Sequence, residues 1–268
     1  MKFAPAILLS ILLQITATVA APAEPFSKTL VSRKLLLPKH YGKQCRTTQL
    51  GKGLEDVTDI LSAGFADVKM MAKEAIKVDP TGHKSWFQRW LPIEDYHLFL
   101  KFCQAVQEFD LPEGFDTILV DCEAPTPACD RLKEPDHTTS RLAVTNPEHS
   151  VIYICYKMWD LPFAEYRRTA EKVSLNCGDK GKKAKTISNY QVLATTLARE
   201  IAHTGAFIKR LGEPYSFTDN RLHAKIDRFG WMLTHAYFQK TCGRTIDVGV
   251  DHWDYKENLA NIEEVFHP

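Results

Sequence analysis

The sequence carries no excess of charge of either sign. Its 34 Lys and Arg stand against 33 Asp and Glu, a formal charge of +1 over 268 residues. That balance gives no electrostatic basis for gripping nucleic acid or an anionic membrane surface. There is no internal period of the kind that builds solenoids or propellers. After one apolar run near the N-terminus, Phe3 to Leu13, no second run long enough to span a bilayer follows. No Asn-x-Ser/Thr sequon is present, so N-glycosylation is not expected. What is left, at 44% apolar residues, is enough for one globular core with a small appendage.

Lys2 followed by the Phe3–Leu13 run, and then small residues leading to Ala20, reads as a secretory signal peptide over residues 1–20. The expected product is secreted and has no membrane attachment once that segment is removed. Residues 21–44, with four Lys, one Arg and three Pro, read as an extended leader or pro-segment, in which Arg33-Lys34 is a candidate processing site. Secretion turns the seven cysteines into a disulfide framework. An odd count leaves at least one thiol over. Cys122 and Cys129 bracket a short loop that a disulfide could pin, and a bridge from Cys155 to Cys177 would contribute about 3 kcal/mol in the chain-entropy model. Six paired cysteines allow 15 connectivities, and spacing alone does not choose among them.

Apolar residues keep helical spacing from Leu54 to Ile76, and Asp79-Pro80-Thr81-Gly82 supplies the stop. Trp86, Phe87, Trp90 and Leu91 form an aromatic cluster dense enough to be core. A second helix is expected over 94–109. Thr117–Cys122 and Ser150–Tyr156 are β-branched, strand-like runs, with Arg141–Val144 a weaker third. Lys180 to Lys185 reads as a solvated loop. Helices are then expected over 188–208 and 218–239, the latter burying Leu222, Ile226, Phe229, Leu233 and Ala236, followed by a tail, 244–268, without clear period. The fold class read from these pieces is α+β, mostly helical, with a small sheet and disulfide staples.

The 188–208 helix carries Thr195-Thr196-Leu197-Ala198-Arg199-Glu200-Ile201-Ala202-His203. Four residues apart, Arg199 and His203 share a helix face, with Glu200 about 100° round from Arg199. This is the geometry of H-E-x-x-H, in which two His hold zinc and the Glu is the general base, but with Arg at the first His. A Glu and a His on a solvated helix face is the plainer reading of E-x-x-H alone, so the weight rests on the surrounding chain.

Taken in order, Cys45 before a long amphipathic helix, Ile152-Tyr153-Ile154-Cys155-Tyr156 with Trp159 after it, Thr196-Leu197 ahead of the motif, Lys225-Ile226-Asp227-Arg228-Phe229-Gly230-Trp231, and Tyr237-Phe238-Gln239-Lys240-Thr241-Cys242 resemble the aspzincins. These are the deuterolysin and lysine-specific metallo-endopeptidase group of secreted fungal zinc peptidases. The resemblance implies a zincin-like metallopeptidase domain over 45–243 and the disulfides Cys45–Cys242 and Cys155–Cys177. If Cys122–Cys129 joins them, Cys103 is the leftover thiol. It also implies catalytic roles for Glu200, as the base acting on zinc-bound water, and for Tyr215, as oxyanion stabiliser. The implied metal ligands are His203 and a carboxylate from Asp227 or Glu213.

The site is incomplete. Arg has no lone pair to offer a metal. A +1 charge about 6 Å from a +2 ion costs roughly 5 kcal/mol at an effective dielectric of 20. In place of the family's Gly-Thr-x-Asp-x-x-Tyr-Gly stretch the sequence has Gly212-Glu213-Pro214-Tyr215. The expectation is therefore a degenerate member without cofactor that binds an extracellular protein or peptide, as a secreted effector would, with Arg199 standing in for the metal on Asp227 or Glu213. The alternative is an active zinc endopeptidase that recruits a substitute ligand such as His223 or Asp227. A third reading is a metal-carrying or purely structural secreted protein.

Overall fold

A computed structural model describes residues 40–50, 53–81, 86–108, 118–122, 129, 142–159, 169–174, 177, 186–212 and 218–248. Among them helix predominates, beside a small sheet. The elements in chain order are β1 (His40–Tyr41), β2 (Thr48–Leu50), β3 (Gly53–Glu55), α1 (Thr58–Ala75), α2 (Tyr96–Gln107), β4 (Leu119–Asp121), β5 (Ala143–Asn146) and β6 (Val151–Ile154). Then follow α3 (Ala170–Ser174), α4 (Leu193–Ala202), α5 (Gly205–Leu211), α6 (Asn220–Ile226) and α7 (Phe229–Cys242). The expected signal peptide (1–20) and most of the expected leader (21–44) lie outside the described residues, as do Lys180–Lys185 and the tail beyond Val248.

The sheet runs β1-β4-β6-β5, with β1 parallel to β4, β4 parallel to β6, and β5 antiparallel to β6. β2 and β3 form a separate hairpin, which takes Leu54 out of the expected first helix. α1, α4 and α7 pack on one another, α2 lies against α1, and β5 at the sheet edge lies against α4. The core is continuous across both layers. Trp86, Phe87, Trp90 and Leu91 are buried in it, as the aromatic density implied, and so are Leu222, Ile226, Phe229, Leu233 and Ala236.

The two late helices are not continuous. Over the expected 188–208 segment the chain makes a short 3-10 turn, Ile187–Tyr190, then α4, then α5. The break falls at Thr204, whose extended backbone (φ −69°, ψ 142°) lets its side chain cap α5 by accepting from Phe207 N. Gly205 N donates to Pro147 O at 3.0 Å, and a Cβ on Gly205 would sit 2.3 Å from that oxygen. The expected 218–239 helix is likewise α6 and α7, split at Asp227-Arg228.

The disulfides differ from the pairings implied above. They join Cys45 to Cys122, Cys129 to Cys155 and Cys177 to Cys242, with Cα separations of 4.9, 5.7 and 4.9 Å. The sheet explains the first: parallel pairing of β1 with β4 sets the ends of both strands, and so Cys45 and Cys122, side by side. With Cys122 taken, Cys129 reaches Cys155 at the end of β6, and Cys177 is tied to the end of α7. Cys103 is the free thiol and is fully buried in α2.

Candidate functional site

α4 is fixed against α7 before it presents any functional group. A Cβ on Gly230 would lie 2.1 Å from Thr195 O, so only glycine permits this approach of α7 to α4. Val192 N donates to Thr195 Oγ1 at 3.2 Å, Thr195 Oγ1 and Thr234 Oγ1 lie 2.7 Å apart, and Thr234 Oγ1 donates to Gly230 O at 2.8 Å. Because the Thr234 proton goes to that carbonyl, Thr195 is the donor between the two hydroxyls. Thr195 and Thr234 are buried, so the chain of bonds satisfies groups that water does not reach.

One and two turns further along α4 come Arg199, Glu200 and His203, helical as the motif requires, with His203 as the C-cap. Arg199 Nε and Nη2 each donate to Asp227 Oδ1 at 2.8 Å, and Arg199 Nη1 donates to Glu200 Oε1 at 3.1 Å. The guanidinium thus sits between the two carboxylates, converging with two N–H groups on a single oxygen of Asp227. His203 Nε2 donates to the same Oδ1 at 2.8 Å. On its other side, His203 Nδ1 is 2.8 Å from His223 Nδ1. Glu200 is 2% exposed, and its Oε2 lies 2.8 Å from Thr145 Oγ1 on β5, which is also 2.9 Å from the Glu200 carbonyl.

The electrostatics follow the contacts. Burial opposes the charge of Arg199, but the carboxylates of Asp227 and Glu200 outweigh it and hold the guanidinium more firmly protonated than usual. Burial likewise pushes the Asp227 carboxyl up, and Arg199 and His203 reverse this, holding it well below the ordinary carboxylate range. Arg199 nonetheless keeps 41% of its side chain exposed and Asp227 29%, so water screens the pair in part.

Of the residues singled out in the sequence, His203, Asp227, Arg199, Glu200 and His223 come together. Glu213 and Tyr215 lie outside the described residues. The guanidinium expected on Asp227 or Glu213 is on Asp227. Thr145 went unremarked because a β-branched residue at a strand end looks like sheet and nothing else. Zinc does not fit this donor set. Asp227 Oδ1 already accepts three N–H groups, His203 Nε2 carries a proton, and a cation, Arg199, stands one helical turn before His203. Among the described residues no group of three or more His, Cys, Asp or Glu side chains is arranged to hold a metal ion. No model of a known protein family matches the chain, and a search of curated proteins finds no relative.

Proposed function

We propose that this chain is a secreted, non-catalytic relative of the aspzincin endopeptidases, zincin-like in fold, that acts by binding an extracellular protein or peptide. The observation that carries this reading is the Arg199 guanidinium held on Asp227 Oδ1 and Glu200 Oε1. Arginine neutralises those carboxylates as a metal would, but it has no vacant coordination position to polarise a water or a carbonyl. Glu200 is then a buried acceptor for Arg199 and Thr145, not a base facing a metal-bound water. Support for secretion comes from the Phe3–Leu13 run before small residues and from three disulfides, bonds that persist in oxidising compartments. None of the described helices is long and apolar enough to cross a membrane. The disulfide pairing differs from the one the resemblance implied, so support for the kinship comes from the site and the order of its segments.

The test is hydrolysis of casein and of a mixed peptide library by the purified chain from Ala21 onward, with zinc supplied, beside Glu200→Gln. We expect no cleavage that depends on Glu200. Zinc-dependent cleavage lost in Glu200→Gln would instead establish the active peptidase with a substitute ligand.

A further inference from the structure

The contact between His203 and His223 is unusual in its alignment. Their ring planes are 10° apart, their centroids 5.1 Å apart and their Nδ1 atoms 2.8 Å apart. The gap between those two distances is what two ring radii laid end to end occupy. The imidazoles therefore meet edge to edge in nearly one plane, nitrogen pointing at nitrogen, with a single proton between them.

His203 is held in this attitude from behind. Its Nε2 donates to Asp227 Oδ1, and Arg199 fixes that carboxylate with two further N–H groups. An imidazole whose far nitrogen donates to a carboxylate keeps its near nitrogen as a basic lone pair, and this is the arrangement that orients histidine ligands in metal sites. The surroundings favour a cation at the near nitrogen. Asp227 and Glu200 outnumber Arg199 in charge, and His203 caps the C-terminal end of α4, where the helix dipole is negative. His203 keeps 15% of its side chain exposed and His223 is half-buried, so water can complete a coordination shell.

We propose that His203 Nδ1 and His223 Nδ1 form a two-imidazole site for copper(II). The ion replaces the proton between the two nitrogens, and His223 stays neutral by carrying its proton on Nε2. Collinear donors match the opposed positions of a tetragonal copper(II) plane, whereas tetrahedral zinc would require both rings to swing. With metal–nitrogen bonds of about 2.0–2.1 Å, opposed nitrogens stand ~4 Å apart, so the present 2.8 Å contact opens by ~1.2 Å. Copper(II) is also the divalent ion for which imidazole affinity peaks. Asp227 serves here as the carboxylate behind a ligand, not as a ligand, and Arg199 stays in place. The inference is therefore independent of whether peptidase activity is lost.

The probe is copper(II) chloride titrated into the full chain in a non-coordinating buffer, followed by calorimetry and electron paramagnetic resonance. One tightly held copper per chain is expected, with hyperfine coupling to two imidazole nitrogens. His223→Ala and His203→Ala should each lower affinity at least tenfold and remove one nitrogen coupling, while His149→Ala, on the β5–β6 turn, leaves both unchanged. The proposal is overturned if the wild-type chain retains no copper at equimolar micromolar concentration. It is equally overturned if His223→Ala, shown folded by circular dichroism, binds copper as the wild type does. Peptide hydrolysis enters neither outcome, so this result and that of the zinc-dependent assay are read separately.

Discussion

Arg199 satisfies two acids at once, Asp227 and Glu200. It offers five donors in a fixed fork, and three of them are used here, two on Asp227 and one on Glu200. Removing the head group by Arg199→Ala leaves a nearly inaccessible Glu200 carboxylate with Thr145 as its side-chain partner among the described residues. A fully buried pair would lose 3–5 kcal/mol on such a change, but Arg199 is two-fifths exposed, so a loss of about 1–3 kcal/mol is expected by urea denaturation. The pH dependence has a definite sign. Because the folded Asp227 carboxyl is held below its ordinary pKa, its contribution is fully present above about pH 4 and disappears as pH falls through the acid range towards the folded value. Arg199→Ala should therefore destabilise at pH 7 and differ less from the wild type near pH 2.

The helices place these residues, and one junction among them is strained by charge. Asp67 of α1 accepts from Ala170 N, at the start of α3, at 2.7 Å. Burial pushes its carboxyl up to about 6, partly opposed by that backbone N–H and assisted by nearby Glu171. A raised carboxyl costs stability above the folded pKa, and the cost is relieved as pH falls from about 6 towards 4. Asp67→Asn keeps an acceptor for Ala170 N and removes the charge. It should stabilise by about 1–2 kcal/mol at pH 7, allowing for the part-exposed site, with the gain fading by pH 4 in thermal melts.

Helix type and the buried faces of these elements were legible in the sequence because 3.6-residue spacing reports directly which side faces a core. The breaks were not. Thr204 and Gly205 interrupt a good helical pattern because Pro147, far away in sequence, accepts from Gly205 N. Asp227 lies at a turn, not within a helix, and this is what lets it face Arg199 across the junction of α6 and α7. E-x-x-H spacing placed Arg199 and His203 on one face. The edge-to-edge meeting of His203 with His223 depends on how α4 and α6 pack, which spacing does not encode.

At the scale of the molecule, the three disulfides close long loops, of 77, 26 and 65 residues. Their pairing was illegible because it follows strand order. A chain-local guess at Cys122–Cys129 cannot foresee that β1 lies parallel to β4. Cys177–Cys242 ties a segment before α4 to the end of α7, the helix against which α4 is latched. The double variant Cys177→Ala with Cys242→Ala should lose about 2–5 kcal/mol in chemical denaturation, the usual range for such a bridge.

On the proposed reading, Arg199 stands where a relative's first metal ligand would be and keeps zinc out. Zinc affinity measured by calorimetry on the wild type and on Arg199→His tests it most directly. The substitution removes the repelling cation, frees Asp227 Oδ1 and supplies an imidazole one helical turn from His203. Arg199→His is expected to bind one zinc per chain at least tenfold more tightly than the wild type. A wild-type chain that binds zinc as tightly as Arg199→His would contradict it.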